Sequence, residues 1–293
     1  MSGGSGLIGS ALAAFLEAHE CKVTRLVRRS PAAANEVRWN PLASIPPQQV
    51  SGFDTVIHLS GENVAGLWTA AKKQRIRESR IVSTQNLSQA LARAEDKPAL
   101  FLCASAIGYY GSRGDEVLTE ASSSGSGFLA EVCHEWETAT VAAREAGIRV
   151  VNLRIGIVLS RSGGALKQML LPFRLGMGGR IGSGRQWWSW IHIDDVVSAV
   201  WQIIRSEALA GPVNMTAPDP VTNAEFTRTL AGALHRPALL PIPAFATKLA
   251  FGEFADVGLL ASARIVPNKL LASGFEFRYP ELVAALQDVI ERR

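Results

Sequence analysis

Cysteine is scarce in this 293-residue chain: Cys21, Cys103 and Cys133 are all there are. Three scattered thiols exclude a disulfide framework, argue against a zinc site and suit a reducing compartment. No apolar run approaches the ~18 residues that a membrane span needs. No Lys/Arg run exceeds two residues, so the formal charge of +4 is mildly basic and is no nucleic-acid footprint. The N-terminus has neither a charged n-region nor an apolar h-region, so no signal peptide is read. Internal repeats are absent. These absences point to a cytoplasmic, reducing setting, with no nucleic acid and no membrane as partner. Hydrophobic residues, by contrast, make up 47% of the chain, enough for one large core or one core with a small appendage.

The most informative stretch is Ser2-Gly3-Gly4-Ser5-Gly6-Leu7-Ile8-Gly9, which reads Gly3-x-x-Gly6-x-x-Gly9. Leu7, Ala11, Phe15 and Ala18 follow at helical spacing. A glycine loop that opens a helix sets bare N–H groups at the positive end of the helix dipole, a place for a phosphate or pyrophosphate. Such a loop ordinarily follows a buried strand. Here only Met1 and Ser2 precede Gly3. The first strand is thus missing from this chain, and truncation at the N-terminus is the expectation, which leaves organelle targeting open.

Further on, strands alternate with helices. Lys22–Val27, Val37–Trp39, Thr55–Ser60, Ala99–Ala104 and Arg149–Ile155 read as strands. Trp68–Ala94, Phe128–Ala146, Ala165–Leu175 and Asp194–Ile204 read as helices, the last with an acidic cap. This alternation means a parallel sheet covered on both faces. Beyond residue 160, glycines and prolines break the chain into short elements. The division is 1–160, with its sheet completed by parts of 185–215, and 161–293 as a smaller substrate-side and C-terminal helical region. Apolar residues near Phe245–Phe254 are free to pack on the main domain or on a partner.

Four clusters carry chemistry. About twenty residues past the glycines, where an Asp or Glu would hold the ribose 2′-OH of NAD, stand Arg25, Arg28 and Arg29. Guanidinium groups there suit the 2′-phosphate of NADP, and Arg28 and Arg29 are the expected contacts. Leu59-Ser60-Gly61-Glu62-Asn63 closes the third strand where a cofactor would pass, and Arg80 on the next helix either reaches back to a phosphate or lies on the surface. Ser105 ends the next strand, with Tyr109 and Tyr110 four and five residues on. These hydroxyls either polarise a substrate carbonyl or satisfy core hydrogen bonds. Arg185, three tryptophans and His192 crowd the segment from Gly182 to Asp195 and are candidates to hold a substrate. For His192 the alternative is a core histidine, and for Asp194-Asp195 a helix cap.

Together these pieces resemble one family. Gly3-x-x-Gly6-x-x-Gly9, Leu59-Ser60-Gly61-Glu62-Asn63, Ser105-x-x-Gly108-Tyr109-Tyr110-Gly111, Leu153-Arg154-x-Gly156, Pro172-Phe173-Arg174-Leu175-Gly176 and Ile181 through Asp195 look like the atypical extended short-chain dehydrogenases/reductases. More narrowly, they are similar to "epimerase family" proteins with a C-terminal domain of unknown function. The resemblance implies a Rossmann-type doubly wound α/β fold and NADP. By position it implies cofactor contacts from Gly3, Gly4, Ser5, Gly6, Leu7, Ile8, Arg28, Arg29, Leu59, Ser60, Gly61, Arg80 and Ile157, and no metal.

The superfamily's proton relay is Tyr-x-x-x-Lys on the helix after the Ser strand. That helix here reads Phe128-Leu129-Ala130-Glu131-Val132-Cys133-His134-Glu135-Trp136-Glu137, with neither residue, and Cys133 or Val132 falls where the lysine would be. Stand-ins to test are Glu131, His134, Tyr109 and Tyr110. Two readings follow: an NADP-dependent oxidoreductase or nucleotide-sugar-epimerase-like protein with Ser105, Tyr109 and Tyr110 as catalytic candidates, or a non-catalytic NADP(H)-binding regulatory or cell-division-related protein.

Overall fold

The structure is a computed structural model and describes residues 1–292. Four parallel strands lie side by side in the order Gly211–Met215, Arg149–Ile155, Leu100–Ala106 and Thr55–His58. A second parallel pair, Arg25–Val27 with Glu36–Arg38, stands beyond Thr55–His58. Met1 and Ser2 join the two groups. Ser2 N donates to Ile57 O at 2.8 Å, and Leu26 N donates to Met1 O at 2.8 Å. Ser2 is thereby in parallel register with both Leu26 and His58. This is the doubly wound order, with Met1 and Ser2 at the central position. Beneath them a cavity of about 500 Å³ opens between the two strand groups, lined by Leu16, Val23, Leu26, Val56, Ile57 and Trp201 among others.

The apolar strand runs follow from burial on both faces. Leu100, Leu102, Val151 and Leu153 meet Leu12, Leu16, Val196 and Val200 on one side. Phe101, Cys103 and Val150 meet Leu87, Leu91 and Trp136 on the other. The helix Leu7–Ala18 turns Gly9, Leu12, Ala13 and Leu16 inward. The helix Ala70–Ala92 starts where Thr69 accepts a hydrogen bond from Lys72 N.

Three boundaries differ from the sequence reading. The stretch expected as one helix over 128–146 is two, Phe128–Thr138 and Val141–Glu145. Only Arg25–Val27 of the expected strand 22–27 pairs. The helix Ile193–Arg205 is capped by His192, whose Nδ1 accepts from Asp194 N, rather than by an acidic residue. A further core gathers Leu159, Trp188, Trp190, Phe226, Leu230, Leu282 and Leu286 around the helices Asn223–Ala233 and Leu282–Glu291. Among the described residues no helix is long and apolar enough to cross a membrane.

Candidate functional site

The glycine loop is fixed by three close approaches. Gly3 has φ +69°, and a Cβ there would lie 2.7 Å from the Leu59 carbonyl carbon. A Cβ on Gly9 would lie 2.2 Å from Gly3 O. Gly6 N donates to Gly3 O at 3.0 Å, and Gly6 caps the helix without a side chain. The first-turn N–H groups therefore have no internal acceptor and face outward at the positive end of the dipole. They open into a cavity of about 670 Å³, walled by the loop, by Arg25, Arg28, Arg29, Glu36 and Trp39, and by Leu59, Ser60 and Gly61.

Charge on that wall is unevenly satisfied. Arg29 grips Glu36 with both terminal nitrogens, at 2.8 and 2.6 Å, and Ala32 N adds a third bond to the same carboxylate. The Arg29 hydrogen bond holds the Glu36 carboxyl below its ordinary range. Arg25 pairs with Glu17 at 2.6 Å. Arg28 is exposed and, among the described residues, has no carboxylate in ion-pair reach. Arg80 is half-buried, with its guanidinium 5.0 Å from the Trp136 ring centroid, and a Cβ on Gly61 would lie 3.2 Å from it. Burial pushes the Arg80 pKa down. Arg80 too lacks a carboxylate partner among the described residues, so the two guanidinium groups and the loop amides together suit a phosphate-bearing ligand.

At the neighbouring strand end, Ser105 Oγ donates to Glu137 Oε1 at 2.7 Å. Arg154 grips the same carboxylate in a two-pronged pair, Nε to Oε1 at 2.8 Å and Nη2 to Oε2 at 2.9 Å. The pair is nearly dry, with side-chain exposure of 3% for Arg154 and 11% for Glu137. Tyr110 is buried within this network. Its hydroxyl donates to Asn214 Oδ1 at 2.7 Å and accepts from Arg154 Nη1 at 2.9 Å, and burial pushes its pKa up to about 12. Tyr109 is half-buried under the Arg154 guanidinium, 3.5 Å from its ring centroid.

Residues 1–215 match the family model described as NAD dependent epimerase/dehydratase family. The chain belongs to that family. Residues 242–289 of this epimerase-family chain match a domain of unknown function, DUF1731. An epimerase family protein of Mycobacterium bovis is 47% identical over 288 residues, covering 98% of this chain and 95% of the relative. YfhF of Bacillus subtilis is 35% identical, covering 100% and 98%. Among solved structures, human epimerase family protein SDR39U1 with NADPH superposes with a TM-score of 0.92 at 33% identity, covering 100% of this chain and 98% of that one. A nucleoside-diphosphate sugar epimerase from Corynebacterium glutamicum gives 0.82 at 36% identity, covering 98% of this chain and 57% of that one.

Within this epimerase-family chain, the other sequence candidates are dispersed. Tyr110 is buried and its hydroxyl is engaged by Asn214 and Arg154, in keeping with the alternative of a core hydrogen bond. His192, a substrate candidate, is also fully buried: it caps its helix, lies 3.2 Å from Asp288 Oδ2 and packs on Tyr279. Burial lowers its pKa. Arg185 is exposed, so it and His192 do not line one pocket. The three tryptophans are anchored by their indole N–H groups to Asp115, Leu259 O and Asp219 O. Glu131 and His134 are exposed. Leu129 and Cys133, four residues apart, face Gly108 beside the Ser105 strand. Ile157 is half-buried, on a short strand paired with Trp190–His192. Sequence reasoning missed Trp39 as cavity wall and the Glu137–Arg154 pair. The one available signal was a charged Arg154 near the end of the buried strand Arg149–Ile155.

Proposed function

We propose that this protein binds NADP(H) in the 670 Å³ cavity and acts as an oxidoreductase or epimerase-like protein on a small molecule. One observation carries the reading: among the described residues Arg28 stands on the cavity wall with no carboxylate partner, while the two carboxylates that line the cavity are occupied, Glu36 by Arg29 and Glu62 by Lys72. An acidic group free to bind a ribose diol would favour NAD, whereas a free guanidinium favours a 2′-phosphate. The NADPH held by the human relative supports the same cofactor. In this reading the amides of Gly3 to Ile8 take the diphosphate, Arg28 and Arg29 take the 2′-phosphate, and Leu59, Ser60, Gly61, Arg80 and Ile157 line the path toward Ser105. The bound nicotinamide supplies hydride chemistry. Ser105 Oγ, whose proton is directed to Glu137, is left to accept a hydrogen bond from a substrate hydroxyl, and Tyr109 is the nearest phenol not buried in the core.

A second reading, binding without catalysis, is favoured by the missing relay on the helix Phe128–Thr138. Cys133 or Val132 stands where the family relay places lysine, and both are buried side chains that carry no positive charge. A panel of carbonyl compounds and nucleotide sugars, followed by nicotinamide absorbance, separates the two. Turnover that vanishes in Ser105→Ala and falls in Tyr109→Phe supports the enzyme. NADPH binding with no turnover on any substrate supports the second reading.

A further inference from the structure

The segment after the helix Gly164–Arg174 and the segment after the helix Asn223–Ala233 run side by side. Arg236 Nε donates to Arg174 O, Ile242 N to Arg180 O and Gly182 N to Ile242 O. A Cβ on Gly179 would lie 1.8 Å from Leu240 O, so the two backbones touch. Leu175 and Met177 project from the first segment, and Leu239 and Leu240 from the second. Phe245 and Leu249 project from one face of the next helix, Ala244–Phe251. All six are 60–86% exposed. Scattered single leucines on a surface need no explanation, but a run of this kind marks a contact face.

Arginines flank it on the side of residues 174–182 and 228–240, while on the helix Ala244–Phe251 Lys248 is paired with Asp256. Arg174, Arg180 and Arg236 lie on the same two segments, and Arg228 shares a surface hollow with Arg180, Arg236 and Leu239. Among the described residues none of these four has a carboxylate within 4.0 Å. Projecting apolar side chains flanked by unneutralised arginines are what an anionic lipid surface takes up: the apolar groups enter the headgroup–acyl boundary and the arginines meet phosphates. A second copy is disfavoured, because pairing the face with itself would set arginine against arginine. We infer that, against the sequence expectation of no membrane partner, the face built from residues 174–182 and 236–249 docks this protein peripherally on an anionic bilayer; the lack of a spanning helix among the described residues does not bear on such docking.

The test is flotation of the full chain with phosphatidylcholine vesicles, with and without phosphatidylglycerol. The expected result is recovery with the anionic vesicles only, weakened by salt. Affinity should fall about tenfold or more in Arg228→Glu/Arg236→Glu and in Leu239→Asp/Leu240→Asp. Circular dichroism and NADPH titration of the same variants show that they remain folded. Absence of vesicle binding, or equal binding by the variants, overturns the inference. So does a patch-dependent dimer in sedimentation equilibrium, or capture of an acidic protein partner by a chain that ignores vesicles.

Discussion

Arg29 and Glu36 face each other across the rim of the main cavity in a two-pronged ion pair, Nη1 to Oε2 at 2.8 Å and Nη2 to Oε1 at 2.6 Å. The pair neutralises one of the arginines that would meet a 2′-phosphate. Glu36→Gln is therefore expected to strengthen NADPH binding severalfold while leaving NADH binding nearly unchanged, because only NADPH carries the group that the released guanidinium meets. Isothermal titration of both coenzymes against the variant checks this. A weaker NADPH complex would show that Glu36 acts instead by ordering the Arg29 loop.

Gly9→Ala places a methyl 2.2 Å from Gly3 O and 2.8 Å from Gly4 Cα. Both neighbours are backbone, so the loop itself must shift. The expected cost is roughly 2 kcal/mol or more of stability, together with loss of measurable NADPH affinity. Gly232→Ala is the control, since nothing lies within 4 Å of a Cβ there and its φ is unexceptional. Thermal melts with and without coenzyme distinguish the two variants.

Glu137 and Arg154 form a buried pair in which each leaves the other uncompensated if removed alone. Arg154→Met or Glu137→Leu is expected to cost roughly 3–5 kcal/mol, and the double variant much less than the sum. Urea unfolding of the three proteins measures it. Additive losses would mean that the two charges do not interact.

His58 is fully buried, bonded to Ser2 Oγ and Ser83 Oγ, and its pKa falls from 6.5 to about 3, chiefly through burial and then through the N-terminal ammonium. The folded protein keeps this imidazole neutral, while the unfolded chain protonates it near 6.5. Unfolding thus takes up a proton between the two values. The stability from this site is complete above about 6.5 and is lost as pH falls toward 3. His58→Gln is expected to flatten that part of the stability–pH curve, by up to one proton in slope.

How far the chain could be read beforehand depended on the range of the interactions. The helix Leu7–Ala18 and the strand Arg149–Ile155 were legible because helical spacing and apolar runs are local. The glycine loop was legible for the same reason: Gly3, Gly6 and Gly9 act within one turn. For Tyr110 and His192 the sequence leaves a ligand contact and a core role open, because their partners are remote: Asn214 for the first and Asp288 with Tyr279 for the second. No local pattern shows that a phenol is enclosed by a strand a hundred residues away. Arg28 and Arg29 looked equivalent in sequence, and only the fold shows that Glu36 claims one of them.

The most direct measurement is calorimetric titration of the wild-type protein and Arg28→Ala with NADPH and NADH. The structure predicts that wild type binds NADPH about tenfold to a hundredfold more tightly, the worth of one charge-assisted phosphate contact, and that Arg28→Ala loses most of that preference. Equal affinity of the wild type for the two coenzymes, or a preference untouched by removing Arg28, would contradict the assignment of this cavity to NADP(H).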